Sequence, residues 1–133
     1  MKSYTDLEQS KKLAKILPIE SADMAWYSSY TKEGYSIRML NDTYPLDIIG
    51  EEHDDIPAWS LAALVNFLPF HVIVDNQIYS FSAIKGLDKN GETYAIKYAI
   101  FNTTFYLHLT DYYNNPIDAC YEMVLKLNEL NLL

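Results

Sequence analysis

The feature that most constrains the fold is an apolar run in the middle of the chain, residues 56–69, with the sequence IPAWSLAALVNFLP. Between Pro57 and Leu68 its only polar side chains are Ser60 and Asn66, which point about 120° apart around a helix. A helix that is apolar nearly all round is buried on most sides, and a membrane span would need about 20 apolar residues. The run therefore predicts a buried central helix on which other elements pack.

Acidic residues and prolines mark both ends of this predicted helix. Asp54 and Asp55 precede it, where carboxylates favour the positive end of the helix dipole. Pro57 stands in the first turn, where its missing N–H is not needed. Pro69 prevents continuation of the helix. We therefore predict a helix over residues 57–68.

Length and charge limit the class of protein. A chain of 133 residues has the size of one domain, so we predict a single domain over residues 1–133. The net charge is −8, from 18 acidic and 10 basic residues, which disfavours direct binding to nucleic acid or to an anionic membrane. This charge is compatible with a protein partner that has a basic surface, and solubility explains it at least as well.

The cysteine content and the N-terminus indicate where the protein works. Cys120 is the only cysteine, which excludes an intramolecular disulfide and a thiolate zinc site. It stands on an apolar helix face, as a buried thiol does. Residues 1–12 contain no apolar segment of a secretory signal. We therefore predict a cytoplasmic protein that needs no cofactor.

A helix and a hairpin are predicted before the apolar run. Thr5 and Glu8 have the spacing of a capping box, and we predict the first helix over residues 5–17. Residues 24–30 and 35–40 are predicted to be the two strands of a hairpin. In the second segment, large apolar residues alternate with polar ones, which is the period of a half-buried strand.

Four strands and a helix are predicted after it. The strands lie at residues 70–74, 77–85, 93–101 and 104–109. Asp75-Asn76 is a two-residue turn candidate, and residues 86–91 form a second turn. Asn115 is the predicted N-cap of the last helix. On its polar face Glu122 and Lys126 have the spacing of an i,i+4 ion pair.

The predicted order of elements is α-β-β-α-β-β-β-β-α, which places the protein in the α+β class. We expect one antiparallel sheet of about five to six strands with helices packed on one face.

No known catalytic motif is present. The sequence contains no glycine-rich phosphate loop, GxSxG elbow or HExxH pair. The three histidines, His53, His71 and His108, belong to different predicted elements, so a dyad with Cys120 is not indicated. We predict no catalytic residue, and the sequence leaves open whether the protein is an enzyme.

The acidic segment before the central helix is the candidate metal site. Carboxylates and one imidazole could hold a divalent cation, and the candidate ligands are Glu51, His53, Asp54 and Asp55. A solvated acidic loop before a helix explains the same residues. The alternative function is thus a small-molecule or metal-binding enzyme with a site near residues 41–55.

Aromatic residues are abundant, with 12 tyrosines and two tryptophans. Tyrosine and tryptophan combine an apolar body with a polar tip and often anchor binding surfaces. The candidate partner-binding residues are Trp26, Tyr27, Tyr30, Tyr35, Tyr112 and Tyr113. Ordinary half-buried packing on a sheet is the alternative interpretation.

Three stretches resemble a known group of proteins: YTDLEQSKKLAKILPIESADM, IPAWSLAALVNFLP and NPIDACYEMVLKLNEL. They are similar to small uncharacterised proteins of prophages and mobile elements in gut bacteria. This resemblance implies a phage-encoded or bacterial cytoplasmic protein and assigns no functional residue. The expected function is a small acidic accessory protein that binds another macromolecule.

Overall fold

The computed structural model describes residues 2–28, 34–40 and 55–133. They belong to two compact units, one within residues 3–64 and the other containing Lys2 and residues 65–133. Each unit has its own antiparallel sheet, of three strands and of four strands respectively. The α+β class is therefore confirmed, whereas the prediction of one sheet of five to six strands is wrong. The single domain over residues 1–133 stays a prediction.

The described elements follow one another with short connections over most of the chain. They are α1 (Leu7–Leu13), a 3-10 helix (Ile19–Ser21), β1 (Met24–Ser28), β2 (Tyr35–Met39), β3 (Ile56–Ala58), α2 (Leu61–Phe67), β4 (His71–Val74), β5 (Gln77–Asp88), β6 (Gly91–Ala99), β7 (Tyr106–Leu109) and α3 (Pro116–Glu129). None of the helices in the described residues is long and apolar enough to cross a membrane.

The first helix is shorter than predicted, since it begins at Leu7 and ends at Leu13 and the prediction covered residues 5–17. Asp6 and Gln9 form its capping box, with the Gln9 backbone N–H donating to Asp6 Oδ1 over 2.8 Å. The predicted box of Thr5 and Glu8 is wrong because the Thr5 hydroxyl is used in the core. It lies 2.7 Å from Ser10 Oγ and accepts a hydrogen bond from the Trp59 backbone N–H.

The three-stranded sheet has the order β2-β1-β3. The predicted pairing of β1 and β2 is confirmed, with Trp26 opposite Ile37. Gly34 has a φ of 88°, as the predicted turn requires, and the other residues of that turn lie outside the described ranges. Residues 41–55, the range of the candidate metal site, also lie outside them except for Asp55.

The predicted central helix is only partly present. Pro57 lies in β3 opposite Ala25. β3 is an edge strand of its sheet, where a proline is tolerated. The helix itself, α2, has seven residues, of which only Leu64 is buried. The prediction of a helix that is buried on most sides is therefore wrong. The apolar run instead enters the core through β3 and through Trp59, which is fully buried before the helix begins.

Ser60 separates the strand from the helix in this run. Its hydroxyl donates to Asp23 Oδ2 and accepts from the Ala63 backbone N–H over 3.2 Å, while its own N–H donates to Asp23 Oδ1. The hydroxyl thus has the position of a helix N-cap.

Replacing Ser60 by alanine should lower the free energy of unfolding by about 1 kcal/mol, because α2 loses its cap. Urea unfolding followed by circular dichroism measures this loss. Ser82→Ala, at an exposed strand position, is the matched control and should change stability by less than about 0.5 kcal/mol. Equal stability of the two variants would contradict the capping role.

The four-stranded sheet is a meander with the order β4-β5-β6-β7, and its strands overlap the four segments predicted after the apolar run. Asp75 and Asn76 have φ of 50° and 66°, which confirms the two-residue turn. The second turn is shorter than predicted, because β5 continues to Asp88, which pairs with Gly91. The Asn90 backbone N–H donates to Asp88 Oδ1 and closes this turn.

The last helix begins as predicted. Asn115 is the N-cap, and its side chain accepts from the Asp118 backbone N–H. Its buried residues are Ile117, Ala119, Cys120, Met123, Val124 and Leu127. Burial raises the pKa of the Cys120 thiol to about 12. The predicted pair of Glu122 and Lys126 is wrong, because Lys126 contacts Glu129 and Glu122 is bonded to the sheet.

Candidate binding surface

The four-stranded sheet has one face covered by α3. Tyr98 is fully buried on this face, and its neighbours across the strands are Phe81 and His108. His108 Nε2 lies 2.8 Å from Glu122 Oε2 of α3. Because side chains alternate along a strand, the residues between these positions point to the opposite face.

The opposite face is lined by a row that crosses β4, β5 and β6. Ser80 lies opposite both His71 and Ala99, and beyond Ala99 the register between β6 and β7 shifts, so that Tyr106 follows an irregularity at the start of β7. Ile73 on β4 shares this face with His71 and lies opposite Ile78 on β5. Residues directly opposite each other in antiparallel strands have their side chains in contact distance.

Large apolar side chains stay exposed at this end of the sheet. Ile73 is 60% exposed, Ile78 and Tyr106 are each more than half exposed, and Phe101, two residues beyond Ala99, is 86% exposed. We call Ile73, Ile78, Phe101 and Tyr106 the open-face patch. Contiguous exposed apolar surface in a folded protein marks a site of interaction more often than single exposed residues do.

The turn that carries Phe101 is closed by hydrogen bonds. The Ile100 N–H donates to the Phe105 carbonyl over 3.0 Å, and the Thr103 N–H donates to the Ile100 carbonyl over 3.2 Å. The Thr103 hydroxyl donates to the Ile100 carbonyl and accepts from the Phe105 N–H. Asn102 has a φ of 60°, which asparagine tolerates well. The exposed phenylalanine is therefore held on an ordered turn.

The sequence around the patch is nearly free of negative charge. The chain has 18 acidic residues, yet none lies in residues 93–110, and Asp75 is the only one in residues 56–87. Lys97 shares the open face through its place opposite Leu109. The open-face patch is therefore apolar and does not itself complement a basic surface.

The predicted partner-binding residues lie elsewhere. In the unit within residues 3–64, Trp26 is half-buried, with Nε1 donating to the Thr5 carbonyl. Tyr27 lies under Arg38, whose guanidinium carbon is 4.2 Å from the ring centroid. Tyr35 is half-buried at the start of β2.

Two of the other predicted partner-binding residues, Tyr112 and Tyr113, belong to the unit that contains residues 65–133. Tyr112 is exposed in the second unit, while Tyr113 is half-buried and its hydroxyl donates to Glu122 Oε1 over 2.7 Å. Tyr30 lies outside the described residues. A partner-binding role for these six tyrosine and tryptophan residues stays a prediction.

Glu122 is the centre of a polar cluster that the sequence did not indicate. Its carboxylate accepts hydrogen bonds from His108 Nε2 at 2.8 Å, from the Tyr113 hydroxyl at 2.7 Å and from the Asp111 N–H at 3.1 Å. Burial alone would raise the pKa of Glu122, but the hydrogen bonds from Tyr113, His108 and Asp111 outweigh it and lower the pKa. The cluster fixes α3 to β7 and to the segment between them.

Three of the four predicted metal ligands, Glu51, His53 and Asp54, lie outside the described residues. Asp55 is buried, and burial raises its pKa while Arg38 opposes that shift. Within residues 2–28, 34–40 and 55–133, no group of three or more His, Cys, Asp or Glu side chains is arranged to hold a metal ion. The metal site near residues 41–55 stays a prediction.

The fold and the patch define an α+β protein with large exposed apolar side chains at one end of its four-stranded sheet. Comparison with protein-family models, with curated proteins and with solved structures found no match. The resemblance to small proteins of prophages and mobile elements therefore stays a prediction.

Proposed function

We propose that the protein is a small accessory protein of a phage or mobile element that acts by binding another macromolecule. The open-face patch is the binding surface. The observation that carries this role is the exposure of four large apolar side chains at one end of the four-stranded sheet.

The shape of the patch suits a binding role. Phe101 and Tyr106 are aromatic anchors of the kind that contribute most of the energy at interfaces. The closed turn before Phe105 holds the backbone of Phe101 in place, so little backbone entropy is lost on binding. A partner therefore gains contact area on an ordered turn.

The negative charge of the protein indicates a second property of the partner, a basic surface beside its apolar contact area. The patch itself is apolar, so the partner offers an apolar area to it. The net charge of −8, with six acidic residues in residues 42–55, speeds association with a protein that is basic elsewhere on its surface. The proposed partner is therefore a protein with an apolar contact area beside basic residues.

Replacing Phe101 and Tyr106 together by serine should weaken partner binding by about 30-fold, which corresponds to a loss of about 2 kcal/mol. Affinity capture from the host that encodes the protein, with the immobilised full chain, identifies the partner. Titration of that purified partner then measures the change in affinity. Unfolding in urea should show little change, because both side chains are exposed in the folded protein.

Met39→Ser is the matched control, since Met39 is 67% exposed in the three-stranded sheet. This variant should bind as the unchanged protein does. Equal binding by the double variant and the unchanged protein would show that the open-face patch is not the binding surface. Capture of no partner at all would argue against the accessory role itself.

A further inference from the structure

We infer that the outer edge of β5, residues 82–88, binds an extended segment of another protein, which adds to the four-stranded sheet as a further strand. This surface is separate from the open-face patch, and the inference does not rest on the function proposed above.

Among the described residues this edge is unpaired, because β4 is much shorter than β5. β4 pairs with residues 77–80 of β5, and the last bond between the two segments joins the Phe81 N–H to the Phe70 carbonyl over 2.9 Å. Pro69 comes next and has no N–H to donate, and its carbonyl accepts from the Tyr98 hydroxyl over 2.6 Å. In the described part of the chain, no strand pairs with residues 82–88 on this side.

The direction of the backbone groups follows from the register. Successive residues of a strand present their N–H and C=O groups to opposite neighbours. Since the Phe81 N–H points to β4, those of Ala83, Lys85 and Leu87 point to the same outer side, and those of the residues between them point to β6. Three N–H and three C=O groups therefore form a template for another strand.

The protection that edge strands usually carry is weak here. Natural edges are blunted by proline, by bulges or by lysine side chains. Residues 82–88 contain no proline, and their pairing with β6 is regular. Lys85 Nζ lies 3.3 Å from Glu92 Oε1 and 5.9 Å from the Tyr94 ring centroid, so it leans toward β6 and does not block the edge, while its side chain stays 62% exposed. Leu87 is 80% exposed.

The occupant that fits this edge is a segment of a different protein. In a two-fold pairing of the whole edge with a second copy, Lys85 would lie opposite Lys85 of that copy, and like charges in opposed positions are destabilising. Each chain also carries a net charge of −8. A segment of another protein with a carboxylate opposite Lys85 and an aliphatic residue beside Leu87 avoids both the opposed lysines and the repulsion between two chains of net charge −8.

Amide exchange measured by NMR on the full chain tests the inference. The probe is a seven-residue peptide with blocked ends, in which valine and threonine alternate around a central glutamate. In the free protein the amides of Ala83, Lys85 and Leu87 should exchange rapidly, and those of Ile84 and Gly86 slowly. Millimolar peptide should slow the first three amides at least about tenfold, as added hydrogen bonds do.

A peptide of the same sequence with N-methylated backbone amides is the control and should protect none of them. The inference is overturned if the three outer amides are already protected at low protein concentration, or if neither peptide slows them. Equal protection by both peptides also overturns it, because no strand would then be added. Protection that rises with protein concentration alone would identify a second copy as the occupant and overturn the proposed partner.

Two variants separate strand addition from other binding. Ala83→Pro removes an outward N–H that β6 does not use, so the peptide should bind at least about tenfold more weakly. Slow exchange at Ile84 and Gly86 checks that this variant is folded. Leu87→Lys adds an edge-protecting charge and should also weaken the peptide. The double serine variant of Phe101 and Tyr106 should bind the peptide unchanged, so the two proposals can fail separately.

Discussion

Replacing Trp59 by alanine should lower the free energy of unfolding by about 3–5 kcal/mol, because a large buried side chain is lost and a cavity is left behind. Trp59 is fully buried, and its Nε1 donates to Ser21 Oγ over 2.9 Å. Since a domain of this size is stable by only about 5–15 kcal/mol, the loss should be visible as a large fall in the urea midpoint.

Trp26→Ala is the matched control for this variant. Trp26 is half-buried, with one hydrogen bond to the Thr5 carbonyl, so its replacement should cost only about 1–2 kcal/mol. Losses of equal size for the two tryptophans, or a loss below about 1 kcal/mol for Trp59→Ala, would contradict the central position of Trp59 in the core of its unit.

Replacing Glu122 by alanine should lower the free energy of unfolding by about 2–3 kcal/mol, because hydrogen bonds to a charged acceptor are among the stronger ones. The variant leaves the half-buried Tyr113 hydroxyl and His108 without this acceptor. Glu129→Gln is the control on the same helix, since the exposed Glu129 pairs with Lys126 over 3.4 Å. It should cost less than about 1 kcal/mol.

The stabilisation by Glu122 should depend on pH and should decrease as the pH falls. The pKa of Glu122 is lowered in the folded protein from its ordinary value of 4.5. Its stabilising effect is therefore fully present above pH 4.5 and is lost as the pH falls through the folded-state pKa. The stability difference between the unchanged protein and Glu122→Gln should shrink between about pH 5 and pH 3. A constant difference over this interval would show that the ionised carboxylate is not the stabilising form.

The parts of the fold that the sequence predicted are those set by local chemistry. Asn115 and Pro116 set the start of α3 through contacts no longer than the one from Asn115 to Asp118. Asp75-Asn76 sets a hairpin, because both residues accept a positive φ. The alternation of large and small side chains was enough to place the four strands of the meander.

The apolar run was misread because periodicity does not separate a buried strand from a buried helix over a few residues. Ala58 and Trp59 are buried like helix residues of a core, yet Pro57 lies in a strand and Ser60 caps the helix that follows. The bonds from Ser60 to Asp23 join residues 37 positions apart, and no local spacing indicates them.

The open-face patch was missed for a related reason. Both faces of the meander carry large apolar residues, and the sequence alone does not show which face α3 covers. Phe101 and Tyr106 therefore read as ordinary strand residues, although the first lies in a turn. The sequence placed Glu122 on the polar, solvent-facing side of α3. Its partners, His108 and Tyr113, are 14 and nine residues away along the chain, so no helical spacing indicates these contacts.

The most direct test of the binding role is site-specific photo-crosslinking in the cell that expresses the protein. A benzophenone amino acid replaces Phe101 in one variant and Met39 in another, both of which are strongly exposed positions. A discrete crosslinked partner is expected at position 101 and none at position 39. No product at position 101, or the same products at both positions, would contradict the assignment of the open-face patch as the binding surface.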